Sequence, residues 1–212
     1  MNTVQIGRER FSEIFWRILN EKVYSPWSVI LEIIENQQKL RKDADYNTGS
    51  LGKNDAECLH RLVKFFQPRV IAEVGTFIGV STLVMSDALK NVPHHIYTCD
   101  FSNDINLNTP NISQYPKKLS AEMFRDLAEK NIKVDLVYLD GRLKQDDIYL
   151  LDNIICNHTV FIMDDFEGIE KGVANAMMLE RPERILIYPH HDTKTALLIP
   201  ISSINLVSQE DN

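Results

Sequence analysis

Val70 to Thr82 reads V-I-A-E-V-G-T-F-I-G-V-S-T, and the rest of the chain is organised around it. A short apolar run ending in an acid, two glycines four apart and a following apolar pattern describe a parallel strand that turns tightly into a helix beside a cofactor. Val70, Ile71 and Val74 are expected in the strand, and Gly75 and Gly79 let the backbone turn where a Cβ would clash. Ser81, Thr82 and Leu83 then open the helix. The spacing is G-x-x-x-G. It is neither the G-x-G-x-x-G of dinucleotide binders nor a phosphate loop, since no G-K-[ST] follows, so a pyrophosphate ligand is disfavoured. What fits is a ligand lying across the loop that offers Glu73 a group such as an ammonium.

Working outward, 212 residues with 44% apolar content suffice for one domain with a substantial core. Lys plus Arg number 23 against 30 for Asp plus Glu, and the net charge of -7 supplies no basic field for a polyanion. Nucleic acid is therefore not an expected partner. No signal-like apolar core follows the first residues and no window approaches a membrane span, so a cytoplasmic protein with no membrane partner is expected. Cys58, Cys99 and Cys156 are odd in number, widely spaced and without a C-x-x-C pair. They read as buried small apolar residues in a reducing compartment.

Ahead of the glycine strand, Phe11, Ile14, Phe15 and Ile18 repeat at helical spacing over Arg8 to Asn20. A second helix through Trp27, Ile30, Leu31 and Ile34 is expected behind Ser25 as cap and Pro26. Both helices pack on the sheet, cover a substrate entrance or form a subunit contact of a homo-oligomer. Asp43 to Lys53 is a glycine-bearing loop placed to close over the site. Asn54 to Phe66 reads as a helix capped at Asn54 and ended by Pro68.

Beyond the Ser81 to Lys90 helix, H-I-Y-T-C-D is a strand with Asp100 at its carboxyl end, 25 residues past Gly75. In doubly wound sheets an acid at about that separation receives ribose hydroxyls. Phe101 to Lys118 is polar and reads as irregular. Leu119 to Lys130 is an amphipathic helix capped by Ser120, which is placed to touch an adenine. V-D-L-V-Y-L-D is a buried strand ending at Asp140, and T-V-F-I-M-D-D another ending at Asp164 and Asp165. Three ionised carboxylates this close repel unless a proton or a cation lies between them. Oxygen donors without Cys or His favour Mg²⁺, or Mn²⁺ or Ca²⁺, over zinc. The structural alternative is that Asp165 caps a helix from Phe166 to Glu180. Ile185 to Tyr188 and Thr195 to Ile199 form a hairpin, so the last strand runs antiparallel. His190 and His191 in its turn are expected in solvent.

E-V-G-T-F-I-G-V-S-T, Asp100, V-Y-L-D-G and F-I-M-D-D, in this order and spacing, resemble the class I S-adenosylmethionine-dependent methyltransferases. More narrowly they resemble the metal-dependent O-methyltransferases, which include catechol O-methyltransferase and bacterial antibiotic-tailoring relatives. The resemblance covers Asn47 to Ile199 and implies a helical extension over residues 1–46 before a methyltransferase domain over 47–212. The implied fold is α/β: a Rossmann-like, doubly wound, mostly parallel seven-stranded sheet with an antiparallel last strand. It also implies that Glu73, Gly75, Thr76, Phe77, Gly79, Ser81, Asp100, Phe101, Ser120 and Asp140 surround S-adenosyl-L-methionine. Asp140, Asp164 and Asp165 fall on the family's metal-ligand positions, Asp140 thereby also being catalytic. The family's aromatic-substrate members carry a lysine base three residues after the first metal aspartate. Here that place is Leu143, with Lys144 one step further and Arg142 one step earlier, and Lys144 is the candidate base.

The implied reaction is methylation of a small hydroxylated molecule. Positioning can contribute about 7–11 kcal/mol to such a reaction. Ionising a phenol of pKa about 10 near neutrality costs about 4 kcal/mol, which a Lewis acid can offset. The alternatives are a metal-independent N- or O-methyltransferase, with Asp164 or Asp165 as base, and a methyltransferase-like binding module without catalysis.

Overall fold

The structure is a computed structural model and describes residues 8–43, 49–101, 105–166, 168, 171–179, 181, 183–189 and 193–204. In chain order its elements are α1 (Arg8–Lys22), α2 (Trp27–Gln38), α3 (Lys53–Phe66), β1 (Val70–Val74), α4 (Val80–Ala88), β2 (His95–Asp100) and β3 (Ile112–Pro116). There follow α5 (Ser120–Glu129), β4 (Leu136–Leu139), α6 (Gln145–Leu151), β5 (Val160–Met163), α7 (Gly172–Leu179), β6 (Arg184–Ile187) and β7 (Ala196–Pro200). The seven strands form one sheet in the order β3-β2-β1-β4-β5-β7-β6. Neighbours from β3 to β5 are parallel, while β7 runs antiparallel to both β5 and β6. This is the expected doubly wound α/β sheet with its antiparallel last strand.

The central strands carry apolar residues on both faces, as strands covered on both sides must. Ile71, Leu136, Tyr138, Val160 and Ile162 join one core cluster. The same cluster takes Phe15, Trp16, Leu19 and Ile30 from α1 and α2, and Leu59, Leu62 and Val63 from α3. Ala72, Val74, Val137, Leu139, Phe161 and Met163 join the other, with Met123, Phe124 and Leu127 of α5 and Ile148 and Leu151 of α6. The first helix packs against the sheet beside β6 and the second on α3 and α4: Trp16 of α1 donates its indole N–H to the Tyr188 carbonyl at 2.7 Å, and Ser12 Oγ accepts the Tyr188 N–H at 3.0 Å.

Several local expectations are corrected. Ile112–Pro116, in the stretch read as irregular, is the edge strand β3. Ser25 does not cap α2; Pro26 stands at the N-cap and the Ser25 hydroxyl pairs with His60 Nδ1 at 3.0 Å. Gly52, not Asn54, is the N-cap of α3, and Leu119, not Ser120, that of α5. There the Glu122 carboxylate reaches back to the Leu119 N–H at 3.0 Å. Cys58 and Cys99 are buried but Cys156 is only half-buried, beside His158. The closing-loop residues 44–48, and His190 and His191, lie outside the described residues.

Strand register positions the site. Val74 of β1 stands opposite Cys99 of β2 and Leu139 of β4, and Leu139 stands opposite Met163 of β5. Gly75, Asp100, Asp140 and Asp164 are each one residue past that row, so four adjacent parallel strands deliver them to the same edge. In open α/β sheets this carboxyl edge is where ligands bind.

Candidate active site at the carboxyl edge of the sheet

The glycine loop leaves β1 with Gly75 at φ 107° and enters α4 through Gly79 at φ 83°, conformations that disfavour a Cβ. At Gly75 a Cβ would also stand 2.8 Å from the Gly141 nitrogen, so β1 and β4 approach too closely for any side chain. Gly75 and Thr76 N–H donate to the Cys99 carbonyl at 2.9 and 3.2 Å, tying the loop to β2. Asp100, largely buried, accepts the Phe77 N–H at 2.7 Å and so holds the loop from the other side. Thr76 and Thr98 pair their hydroxyls at 2.5 Å beneath it. Phe101, next to Asp100, is exposed.

Glu73 is fully buried, and its two carboxylate oxygens accept the Ser81 hydroxyl at 2.5 Å and the Thr82 hydroxyl at 2.6 Å. Burial pushes its carboxyl up to about 7, with the hydroxyl hydrogen bonds offsetting part of the rise. Glu73 and Ser81 therefore form the strut that fixes the start of α4 to β1. Ser120 opens α5 and donates to Asp147 Oδ2 at 2.9 Å, and the same oxygen accepts the Lys144 N–H at 2.9 Å. Asp147, which the sequence reading passed over, thus joins the starts of α5 and α6. Lys118 N–H donates to the Asp100 carbonyl at 3.1 Å, bringing the approach to α5 beside the strand-end row. The Lys144 side chain is exposed at the start of α6.

Asp140, Asp164 and Asp165 each offer one carboxylate oxygen, and these atoms all lie within 4.8 Å of one another. Neither acid after β5 caps a helix at Phe166: Asp165 turns the chain at φ 46°, its carbonyl accepts the Gly168 N–H at 2.8 Å, and α7 begins only at Gly172. That delay brings in Lys171, which the sequence reading did not single out. Its ammonium is 3.3 Å from Asp140 Oδ1 and donates to the Asp164 carbonyl at 2.8 Å. Thr195 of the hairpin donates to Asp164 Oδ1 at 3.2 Å, and Lys194 Nζ stands 3.5 Å from Asp165 Oδ1. Burial pushes the Asp140 carboxyl upward, the Lys171 charge opposing it. Burial pushes Asp164 upward too, and the neighbouring Asp140 charge adds to it.

These carboxylates offer the oxygen donors a divalent ion prefers. An ammonium already hydrogen-bonded to the Asp140 carboxylate and the Asp164 carbonyl does not suit such an ion. Among the described residues the Tyr138 hydroxyl is fully buried with no hydrogen-bond partner, and its ionisation is disfavoured by burial and by Asp164, Asp140 and Glu73. No helix among the described residues is long and apolar enough to cross a membrane.

No protein-family model and no curated protein matches the chain. Solved structures do. An O-methyltransferase from Bacillus cereus in complex with SAH superposes with a TM-score of 0.64 at 14% identity, covering 91% of this chain and 100% of that one. The SAH-bound methyltransferase PaMTH1 of Podospora anserina gives 0.63 at 12% identity, covering 94% and 99%. The O-methyltransferase TomG of Streptomyces achromogenes, involved in tomaymycin synthesis and in complex with SAM, gives 0.60 at 16% identity, covering 92% and 100%. At such identities the likeness speaks for architecture, and on that ground the chain has the Rossmann-like fold of the O-methyltransferases.

Proposed function

We propose that this chain is an S-adenosylmethionine-dependent methyltransferase that methylates a hydroxyl group of a small molecule. The observation that carries the reading is the strand-end row: the Gly75 loop, Asp100, Asp140 and Asp164 leave four adjacent parallel strands at one level. The residues fit the cofactor. Gly75 and Gly79 keep the loop free of Cβ atoms where it turns, and Asp100 offers a carboxylate for ribose hydroxyls at the end of β2. The structures of similar fold with SAM or SAH bound support the same ligand. When bound, the cofactor supplies an electrophilic methyl group on a sulfonium.

The protein's part is to hold an acceptor oxygen against that methyl and to manage its proton. Asp140 and Asp164, with carboxyls raised by burial, suit proton acceptance from a hydroxyl near neutral pH. Lys144 as the base has less in its favour, because its side chain is exposed beside the row rather than directed by a partner within it. A divalent ion among Asp140, Asp164 and Asp165 draws support from the 4.8 Å grouping of their oxygens, whereas the Lys171 ammonium 3.3 Å from Asp140 Oδ1 favours the metal-independent alternative.

The test is transfer of labelled methyl from S-adenosylmethionine across a panel of phenols, catechols and aliphatic alcohols, with Mg²⁺ and with chelator. Transfer to at least one hydroxyl compound is expected. Binding of the cofactor with transfer only to amines would replace the O-methylation reading, and absence of cofactor binding would remove the proposal.

A further inference from the structure

Lys171 reaches the acidic centre from the turn that precedes α7, where its own N–H donates to the Gly168 carbonyl at 3.0 Å. It is 7% exposed, an unusual burial for lysine, which persists inside a protein when its charge is paired. The pairing is with Asp140 Oδ1 at 3.3 Å and with the Asp164 carbonyl at 2.8 Å. One ammonium thus spans the ends of β4 and β5. Three carboxylates crowded together are relieved by a proton or by a positive charge beside them. Here the chain itself provides the charge, and Lys194 adds a second ammonium 3.5 Å from the outer acid, Asp165.

A divalent ion coordinated by Asp140 and Asp164 at about 2.0–2.6 Å would stand against this ammonium, with repulsion heightened by the restricted solvent. The ion and the lysine compete for the Asp140 carboxylate. We propose that the Lys171 ammonium is the resident cation of the acidic centre, fixing Asp140 and the end of β5 in place of a divalent metal. The enzyme then needs no added metal. This inference rests on the methyltransferase reading only in taking the centre to face the acceptor; Lys171 acts through Asp140 and is a positioning residue.

The experiment is a Mn²⁺ titration followed by electron paramagnetic resonance on the full chain, with calorimetric S-adenosylmethionine binding on the same samples. The wild type is expected to take up no Mn²⁺ that depends on Asp140, as judged against Asp140→Asn. Lys171→Met, which keeps the side-chain length without the charge, should gain one Mn²⁺ per chain with affinity raised about 100-fold or more. Lys171→Arg should restore exclusion, a rescue that a purely structural lysine would not produce. Asp140-dependent Mn²⁺ binding by the wild type overturns the inference, as does a folded Lys171→Met that gains nothing. Should Lys171→Met not fold, the wild-type titration decides alone, Asp140-dependent binding overturning the inference and its absence supporting it. Failure of cofactor binding would count against the methyltransferase reading and leave the Mn²⁺ result to judge the lysine.

Discussion

At the scale of single residues, the two most informative positions are an acid and a glycine whose roles are mechanical. Glu73 has its ordinary carboxyl value of 4.5 raised to about 7 by burial, so the native protein keeps a proton there that the unfolded chain has lost. Stability therefore falls as pH rises from about 4.5 to about 7, by about 3 kcal/mol for this group alone, and is level outside that window. Glu73→Gln should flatten the slope in urea unfolding between pH 5 and 7.5 without abolishing it, because Asp164 is raised as well. An unchanged slope would show that Glu73 is not the protonated group. Gly75→Ala forces a Cβ onto a φ of 107° and against the Gly141 nitrogen. It should cost about 1–3 kcal/mol of stability and weaken cofactor binding in parallel; a loss under ~0.5 kcal/mol would contradict the close approach. Both residues stand out in the sequence, since a strand-ending acid followed by spaced glycines is a local pattern. Lys171 and Asp147 do not, because their partners Asp140 and Ser120 are 31 and 27 residues away and only the turn before α7 and the packing of α5 on α6 bring them together.

At the scale of elements, pattern succeeds where an element is buried and fails where it is half-covered. β4 and β5 are continuous apolar runs, and β1 is interrupted only by Glu73, because both faces are packed, and they can be read directly from the chain. β3 is an edge strand of half-buried residues, I-S-Q-Y-P, with one neighbour, so no hydrophobic run announces it. Its Gln114 instead binds the Leu107 N–H and the Ile105 carbonyl, stitching the preceding loop to the sheet. Helix starts differ from the local pattern for a related reason: Ser25 and Ser120 find partners elsewhere in the fold, a tertiary choice that local capping chemistry does not contain. The alignment of β1 with β4 has its own device. Asp135 Oδ2 accepts the N–H groups of Arg69 and Val70 at 2.9 and 3.0 Å, locking the opposite edge of the sheet. Asp135→Ala should cost about 1–3 kcal/mol in chemical unfolding, since two amides lose a charged acceptor. A neutral result would mean that solvent satisfies them equally well.

At the scale of the whole molecule, one sheet edge combines a glycine loop, the Asp100 carboxylate and an acidic centre with Lys171 beside it. On the proposed function the two halves of that edge should be separable, β1 and β2 with their ends Gly75 and Asp100 serving the cofactor and β4 and β5 with Asp140 and Asp164 serving the acceptor. The most direct measurement is calorimetric binding of S-adenosylmethionine and S-adenosylhomocysteine to the wild type, Asp100→Ala and Asp140→Asn. The account predicts one molecule per chain for the wild type, binding weakened about 10- to 100-fold by loss of the Asp100 carboxylate, and little change on altering Asp140. A wild type that binds neither ligand, or binding indifferent to Asp100, would contradict it.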